Sequence, residues 1–586
     1  MKLLNTVLLT LTMLLSFATM SSAQAAKRPN VILIITDDQG YGDLGITGNP
    51  HVLTPNIDQL ATESIRFTDF YVSPVCAPTR SSLMTGRYSL RTGIRDTYNG
   101  GAIMSPNEVT IAEMLQQANY QTGIFGKWHL GDNYPSRPSD QGFDESLIHL
   151  SGGMGQVGDI TTYFSRNQSY FDPVLWHNNQ TEAYEGYCSD IFTEEAITFI
   201  EKNKDGPFFC YLSFNAPHTP LQVPDQYYAL YRDIDPATGF AGDDRPFSDM
   251  TLKDKEDARK VYAMVTNIDD NIGKLLHKLD ELQIADNTLI IFMTDNGPQQ
   301  TRYVGGMRGL KGNVYQGGVR VPFFLRYPSL FDESTDIPTT AAHIDILPTL
   351  AKLCSVPLPS GRIIDGRSLV PLLTKENADW SDRSLFFYWT RRYPELYNNI
   401  ALRRGNYKLV GKTDYTAAVT DFELFHIASD PYEQTNIVHE SEQIAQALKE
   451  ELDTLYQELV TSENLLNPVR IVVGSRFENP VILNRNDAGG QRGIWAQEAV
   501  YGKWKVHIKE GRYDIKFKFI KPVKANGKMY LETNTYVKQM IHTQAGSDII
   551  EMKNVFLPEM DCDLRPFYAD GSKHILPFWV EMKKVN

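Results

Sequence analysis

Residues 31–38 read VILIITDD, five aliphatic residues that run through Thr36 into two aspartates. An unbroken apolar run of this length is the pattern of a strand buried on both faces, as in a parallel sheet covered by helices. Its abrupt end places Asp37 and Asp38 at the strand's C-terminus. The same grammar recurs three times: 121–126 runs into Lys127-Trp128-His129, 208–214 into Asn215-Ala216-Pro217-His218, and 289–294 into Asp295-Asn296-Gly297. Helix signals lie between these runs. Thr54-Pro55 offers an N-cap and a first-position proline, Thr110-Ile111-Ala112-Glu113 spells a capping box, and Val265, Ile268, Ile272, Leu275 and Leu279 share one face of a helix predicted over 260–282. The alternation predicts an α/β domain with helices on both faces of a mostly parallel sheet. Ligands in such sheets bind beyond the strand C-termini, where these polar residues fall.

Residues 76–86 read CAPTRSSLMTG. Pro78 suits the first turn of a helix and Thr79 to Met84 can continue it, so Cys76 is expected just before the helix N-terminus. Unpaired amides, the positive dipole end and Arg80 one turn away imply an anion pocket around a sulfur residue. Asp37, Asp38, Asp295 and Asn296 add four hard oxygen donors at strand ends. That set suits Ca²⁺ or Mg²⁺ rather than zinc.

The 586 residues are 42% hydrophobic and 11% aromatic, the composition of a folded chain large enough for more than one core. Lys2, an apolar run over 8–20 and Ala23-Gln24-Ala25 fit a cleavable secretory signal over 1–25. No later apolar run is long enough to span a bilayer, so a soluble periplasmic or extracellular protein is expected, with no nucleic-acid partner. The five cysteines, Cys76, Cys188, Cys210, Cys354 and Cys562, are too few and scattered for a disulfide framework, and none forms a CxxC pair. The formal charge of −14 conceals a basic tail, with 19 Lys+Arg against 13 Asp+Glu from residue 465 onward. There Trp504, Val506 and Ile508 alternate with Lys503, Lys505, His507 and Lys509, and Tyr513, Ile515, Phe517 and Phe519 alternate with Asp514, Lys516 and Lys518. This period predicts a hairpin with one apolar and one basic face, in a β-rich, sandwich-like accessory domain over 465–586.

Cys76-x-Pro78-x-Arg80 followed by Thr85-Gly86-Arg87 resembles the signature of the type I, formylglycine-dependent sulfatases of the alkaline phosphatase superfamily. Lys127-Trp128-His129-Leu130-Gly131 resembles the family's KWHLG element, His218 lies in a similar APHxP stretch, and Lys311 precedes GGVRVP, with Gln316 in place of the usual acid. Glu423-Leu424-Phe425 through Asp430-Pro431, Glu433 and Asn436 resembles a further family element, so the resemblance covers about residues 28–464. It implies an alkaline-phosphatase-like sulfatase fold with a mixed, mostly parallel central sheet in a catalytic domain over 26–365, and a smaller antiparallel α+β subdomain over 366–464. It also implies that Cys76 is oxidised to 3-oxoalanine (formylglycine) by a formylglycine-generating or sulfatase-maturating enzyme. The hydrated aldehyde would attack sulfur beside one divalent ion held by Asp37, Asp38, Asp295 and Asn296. His218, with Lys311, would protonate the leaving alcohol, His129 would take the proton that re-forms the aldehyde, and Arg80 and Lys127 would hold the charge. A sulfated saccharide is the expected substrate. Ser151, Arg391 and Arg392 are candidate substrate ligands, and Tyr163, Tyr170, Phe171 and Trp176 candidate stacking groups. The alternatives are a phosphonate or phosphate ester hydrolase of the same superfamily and a catalytically silent carbohydrate-binding protein.

Overall fold

In the computed structural model, which describes residues 28–585 except 166, 241–245, 332–333, 377–379, 381–382, 545 and 572, strand Asn30–Thr36 lies inside a ten-stranded mixed sheet. The secretory signal expected over 1–25 lies outside the described residues. Strand Asn30–Thr36 runs parallel to Phe208–Ser213 on one side and to Thr288–Thr294 on the other, and Gln121–Lys127 follows in parallel beyond Phe208–Ser213. Antiparallel neighbours then begin on both flanks, with Phe323–Arg326 beside Thr288–Thr294 and Val174–His177 beside Glu145–His149. The aliphatic run is continuous because both faces are covered. Val31, Leu33 and Ile35 enter one core, while Ile32 and Ile34 enter the other. Each such side chain contributes about 1.5–3 kcal/mol on burial. Register aligns Thr36 with Thr294 and Ile35 with Ser213, so Asp37, Asp295 and the loop after Ser213 emerge together at one sheet edge.

The helices follow their signals, with two shifts. Thr110 and Glu113 form the reciprocal capping box at Ile111–Gln116, and Pro55 opens Pro55–Thr62. The long helix spans Leu252–Glu281, starting well before the apolar stripe because Thr251 and Asp254 make a capping box upstream. Helix Cys76–Thr85 takes Cys76 as its first residue rather than leaving it outside, with Val75 as the extended N-cap and Pro78 still within the first turn. Every residue of that helix is buried.

Strands Ser384–Tyr388, Ile400–Arg404, Tyr407–Gly411 and Glu423–His426 form a separate antiparallel sheet that shares a core with helix Glu442–Val460. Further along lie two more sheets around one core. Here the hairpin expectation fails. Gly502–Ile508 pairs with Ile471–Val473 and Met560–Asp570, whereas Gly511–Lys518 pairs with Ile549–Leu557 and Trp579–Lys584. The chain therefore switches sheets at Lys509-Glu510, and the two apolar faces meet across a sandwich instead of lying side by side. Alternation fixes which residues point inward but not which sheet each strand joins. The basic face is matched by acids of the neighbouring strand: Lys503 and Lys505 pair with Asp563, His507 with Asp561 and Lys509 with Glu559.

Where the sandwich meets the main sheet, two carboxylates are buried together. Asp132 accepts the Ser151 amide at 3.0 Å and Asn484 Nδ2 at 2.7 Å, and burial pushes it up to about 6. Burial, then the charge of Asp132, raises Asp487 well above the carboxylate range. Carboxyls raised in the folded state contribute stability that is fully present below their unfolded values and lost as pH rises through the folded ones. The protein should therefore be more stable at pH 5 than at pH 8 through this pair, by on the order of 1–3 kcal/mol. Asp487→Asn should flatten that dependence in thermal melts; parallel wild-type and variant profiles would refute it.

Candidate active site

Cys76 lies in the wall of a cavity of about 480 Å³ shared with His129, His218 and Lys311. Its Sγ and single carboxylate oxygens of Asp37 and Asp295 all fall within 4.8 Å of one another, and Asp37, Asp38 and His218 form an overlapping group. The strand ends account for this convergence. Strand Gln121–Lys127 can close on its neighbour because residue 126 is glycine with φ 116°; a Cβ there would stand 1.8 Å from the Ser213 carbonyl oxygen.

Cations interleave with the acids. Lys127 Nζ donates to Asp37 at 2.5 Å, and Lys311 Nζ lies 2.6 Å from Asp38 Oδ1. Arg80 reaches Asp295 Oδ2 through Nε at 3.1 Å and Nη2 at 2.9 Å, while its Nη1 donates to the Lys127 carbonyl at 3.1 Å and to Ser213 Oγ. His129 Nε2 donates to the Thr97 carbonyl at 2.7 Å, which fixes the tautomer and leaves Nδ1, buried and without a partner among the described residues, as the basic atom. His218 Nδ1 donates to the Thr219 carbonyl at 2.7 Å, so its Nε2, 3.7 Å from Asp38 Oδ2, is the atom free for chemistry.

The charges polarise the site. Burial works to raise Asp37, but Lys127, His218, Arg80 and Lys311 together hold it far below the usual carboxylate range. Asp295 goes the other way, pushed up to about 7 by burial and by Asp37. The Cys76 thiol is also raised, burial outweighing Lys127 and Lys311, so the unmodified sulfur is a poor nucleophile. Burial, followed by Lys127, holds His129 well below the ordinary histidine value, and burial likewise lowers His218.

The four oxygen-bearing residues fit a hard divalent cation. Asp37 Oδ1 and Asn296 Oδ1 are buried with no hydrogen-bond partner among the described residues. Asn296 Nδ2 donates to Asp38 Oδ1 at 2.8 Å and the Asp38 amide to Asp295 Oδ1 at 3.1 Å, tying these three residues together beside Asp37. Carboxylates forced together with Asp295 resisting ionisation are the electrostatic complement of an added positive charge.

The other candidates divide. Arg391 lines the cavity, its guanidinium 4.6 Å from the Trp389 ring centroid and 3.2 Å from Asp96. Arg392 does not join it, since Nη2 turns to the Gly490 carbonyl at 3.0 Å. Ser151 sits behind the wall, its hydroxyl packed against Gly158. None of the four aromatic candidates lines the cavity. Tyr163 stacks on Phe578 at 4.6 Å, Phe171 packs on Tyr187 at 5.2 Å, and Trp176 borders a different cleft. Tyr170 is buried and donates to the His218 carbonyl at 2.7 Å, steadying that histidine from behind. Sequence reasoning missed Asp96, whose carboxylate gathers Trp389 Nε1, Arg391 and the Arg392 amide, as well as Thr97 and Ser213. These residues sit outside any recognisable motif, and only the folded chain brings them to the site. Gln316, where an acid was expected, donates its backbone N–H to Glu433 at 2.6 Å, and Glu433 pairs with buried Lys408.

Residues 29–356 match the sulfatase family, and residues 310–458 match the family "N-sulphoglucosamine sulphohydrolase, C-terminal". Human arylsulfatase A is 33% identical over 417 residues, covering 65% of this chain and 75% of its own. Human steryl-sulfatase is 31% identical over 467 residues, with the same 65% and 75% coverage. Among solved structures, Ps i-CgsB in complex with k-i-k-neocarrahexaose superposes with a TM-score of 0.64 at 29% identity, over 75% of this chain and 94% of that one.

Proposed function

The chain belongs to the sulfatase family, and on that premise we propose that it hydrolyses sulfate esters of a sulfated polysaccharide or oligosaccharide. One observation carries the reading: the sulfur of Cys76 stands against Asp37 and Asp295 in a cavity walled by Lys311, His129 and His218. The saccharide assignment draws on Tyr98, Trp389 and Arg391 in the same wall, since aromatic faces and a guanidinium suit sugar rings and their anionic substituents. A structural relative with a neocarrahexaose bound supports it.

In this reading Cys76 would be converted to formylglycine by a formylglycine-generating or sulfatase-maturating enzyme and its hydrate would supply the nucleophilic oxygen, while Asp37, Asp38, Asp295 and Asn296 would hold one divalent ion, Ca²⁺ with Mg²⁺ as the alternative. Lys127 and Lys311 set positive charge around the sulfuryl oxygens, and Arg80 braces Asp295. Preorganised donors of this kind contribute about 3–4 kcal/mol each to a transition state. His218 Nε2 is the atom placed to give a proton to the departing alcohol; burial lowers its pKa, so the charged ring is the stronger acid and the less populated form at neutral pH. His129 Nδ1, neutral at working pH, accepts a proton. The secretory signal read over 1–25 supports export to the periplasm or the medium. No helix among the described residues is long and apolar enough to cross a membrane.

Sulfate release from sulfated algal and animal disaccharides, measured by ion chromatography on protein co-expressed with a maturation system, tests this directly. Cleavage of phosphonate esters in preference to every sulfate ester would overturn it. His218→Ala should slow an alkyl sulfate on a sugar by about 10²–10⁴-fold, yet slow 4-nitrophenyl sulfate far less, because that leaving group needs no proton. Equal losses on both would remove His218 from the role of acid.

A further inference from the structure

We infer that the C-terminal sandwich completes the substrate site, its turn Arg492–Trp495 joining Arg391 to make a second anion subsite, so that the preferred saccharide carries another anionic group beside the sulfate that is cleaved. This deepens the sulfatase reading and rests on it for the identity of the first subsite.

The turn belongs to the same cavity as Cys76: Arg492, Trp495 and Ala496 line it together with Arg391 and Trp389. It is a built wall and not a passing loop. Ile494 is fully buried in the sandwich core, and Arg485 Nη1 donates to the carbonyls of Ile494 at 3.2 Å and Gln497 at 2.8 Å. The Trp495 ring meets Tyr98 edge-on at 5.3 Å, and Tyr98 also carries the Arg391 guanidinium 5.1 Å from its centroid. The sandwich turn is thus tied to Tyr98 and Arg391 at the cavity itself. Several cations of the sandwich are matched by acids, as Lys503 is by Asp563 and Lys518 by Asp548. Arg492 differs. It is exposed and makes no hydrogen bond or ion pair with the described residues. Arg391 spends part of its guanidinium on Asp96 and Thr97 Oγ1, yet its side chain stays 45% exposed. Two guanidinium groups in one cavity, one of them unmatched, suit an anion that offers a pair of oxygens to a planar fork, which a sulfate ester and a uronate carboxylate both supply. The family matches end at residue 458, so this wall comes from a part of the chain they do not describe.

Titration calorimetry on Cys76→Ala, which keeps the cavity but not the nucleophile, separates the two subsites. The probes are neocarrabiose with one or two sulfates, and a galactosamine 6-sulfate disaccharide with or without its uronate carboxylate. Adding Arg492→Ala should weaken the doubly anionic probe about 10- to 100-fold and the singly anionic one less than about threefold. Arg492→Glu should widen that gap, and Arg492→Lys should fall between. Which probe pair responds tells sulfate from carboxylate. Equal losses on both members of each pair, no loss on any, or no binding of either doubly anionic probe would overturn the subsite. A thermal melt matching that of Cys76→Ala shows that the fold is retained. Failure of the hydrolytic reading looks different: matured wild-type protein would bind the doubly anionic probe through Arg492 and release no sulfate from it.

Discussion

Cys76→Ala will bring sulfate release to background, a loss on the order of 10⁴–10⁶-fold for a residue that supplies the nucleophile. Cys76 is 2% exposed and its thiol is raised, so a catalytic thiolate is not what this environment favours. What the surroundings do favour is an oxygen nucleophile among Lys127, Lys311 and the carboxylates at Asp37 and Asp295. Alanine removes only the sulfur at the first position of a helix whose cap is Val75, so the backbone and the cationic ring remain. Binding of a sulfated saccharide should therefore persist while turnover stops. Cys76→Ser is the sharper variant. Its hydroxyl can attack once, forming a serine sulfate ester and freeing the alcohol, but its carbon bears no second hydroxyl that could collapse to a carbonyl and expel sulfate, so alcohol release should not exceed one equivalent per site and no sulfate should be released. Mass spectrometry of the peptide around Cys76 reads the chemistry independently, as an aldehyde in place of a thiol. Multiple turnovers by Cys76→Ala would sink the assignment, as would a fully active wild-type protein whose Cys76 remains a thiol.

The strand ends were legible in the sequence because burial on both faces leaves a one-dimensional trace. Continuous apolar runs ending at Asp37, Lys127, Asn215 and Asp295 state both the strand and the edge where chemistry collects. Register then does what sequence cannot, aligning Thr36 with Thr294 so that Asp37-Asp38 and Asp295-Asn296 become neighbours. The sandwich was legible only as alternation. Residues 503–519 show which side chains face inward, but a tight turn between two alternating runs fits a hairpin and a sheet-switching corner equally, and the choice depends on distant partners such as Met560–Asp570. The cavity walls were the least visible. Asp96 organises Trp389 and Arg391 across almost 300 residues, and Arg492 reaches the site from another sheet system, so neither leaves a spacing to read. Tyr163 and Phe171 show the converse: as aromatic residues more often do, they pack against their neighbours and do not line the cavity.

Arg80→Ala is expected to damage stability and rate together, and the two losses can be told apart. Arg80 is fully buried and binds Asp295 through two nitrogens, so its removal strands a carboxylate that burial and Asp37 already push up to about 7. Breaking a buried pair from one side costs about 3–5 kcal/mol. Asp295 must then ionise alone or hold a proton. With its folded value raised further, stability is retained at low pH and lost as pH rises through that value, so the variant's deficit should grow between pH 5 and pH 8. Arg80→Lys keeps a charge but not the fork that also reaches the Lys127 carbonyl and Ser213 Oγ. It should recover part of the stability and still lose about 10²–10³-fold in kcat. Adding Asp295→Asn to Arg80→Ala removes the stranded charge, and denaturant unfolding should show stability returning while turnover does not. Turnover cannot decide in the double variant, because Asp295 is itself a ligand of the proposed ion; the stability readout does. Had Arg80 not served as counter-charge to Asp295, the double variant would be no more stable than Arg80→Ala; had it served only the substrate, Arg80→Ala would unfold like wild type at every pH.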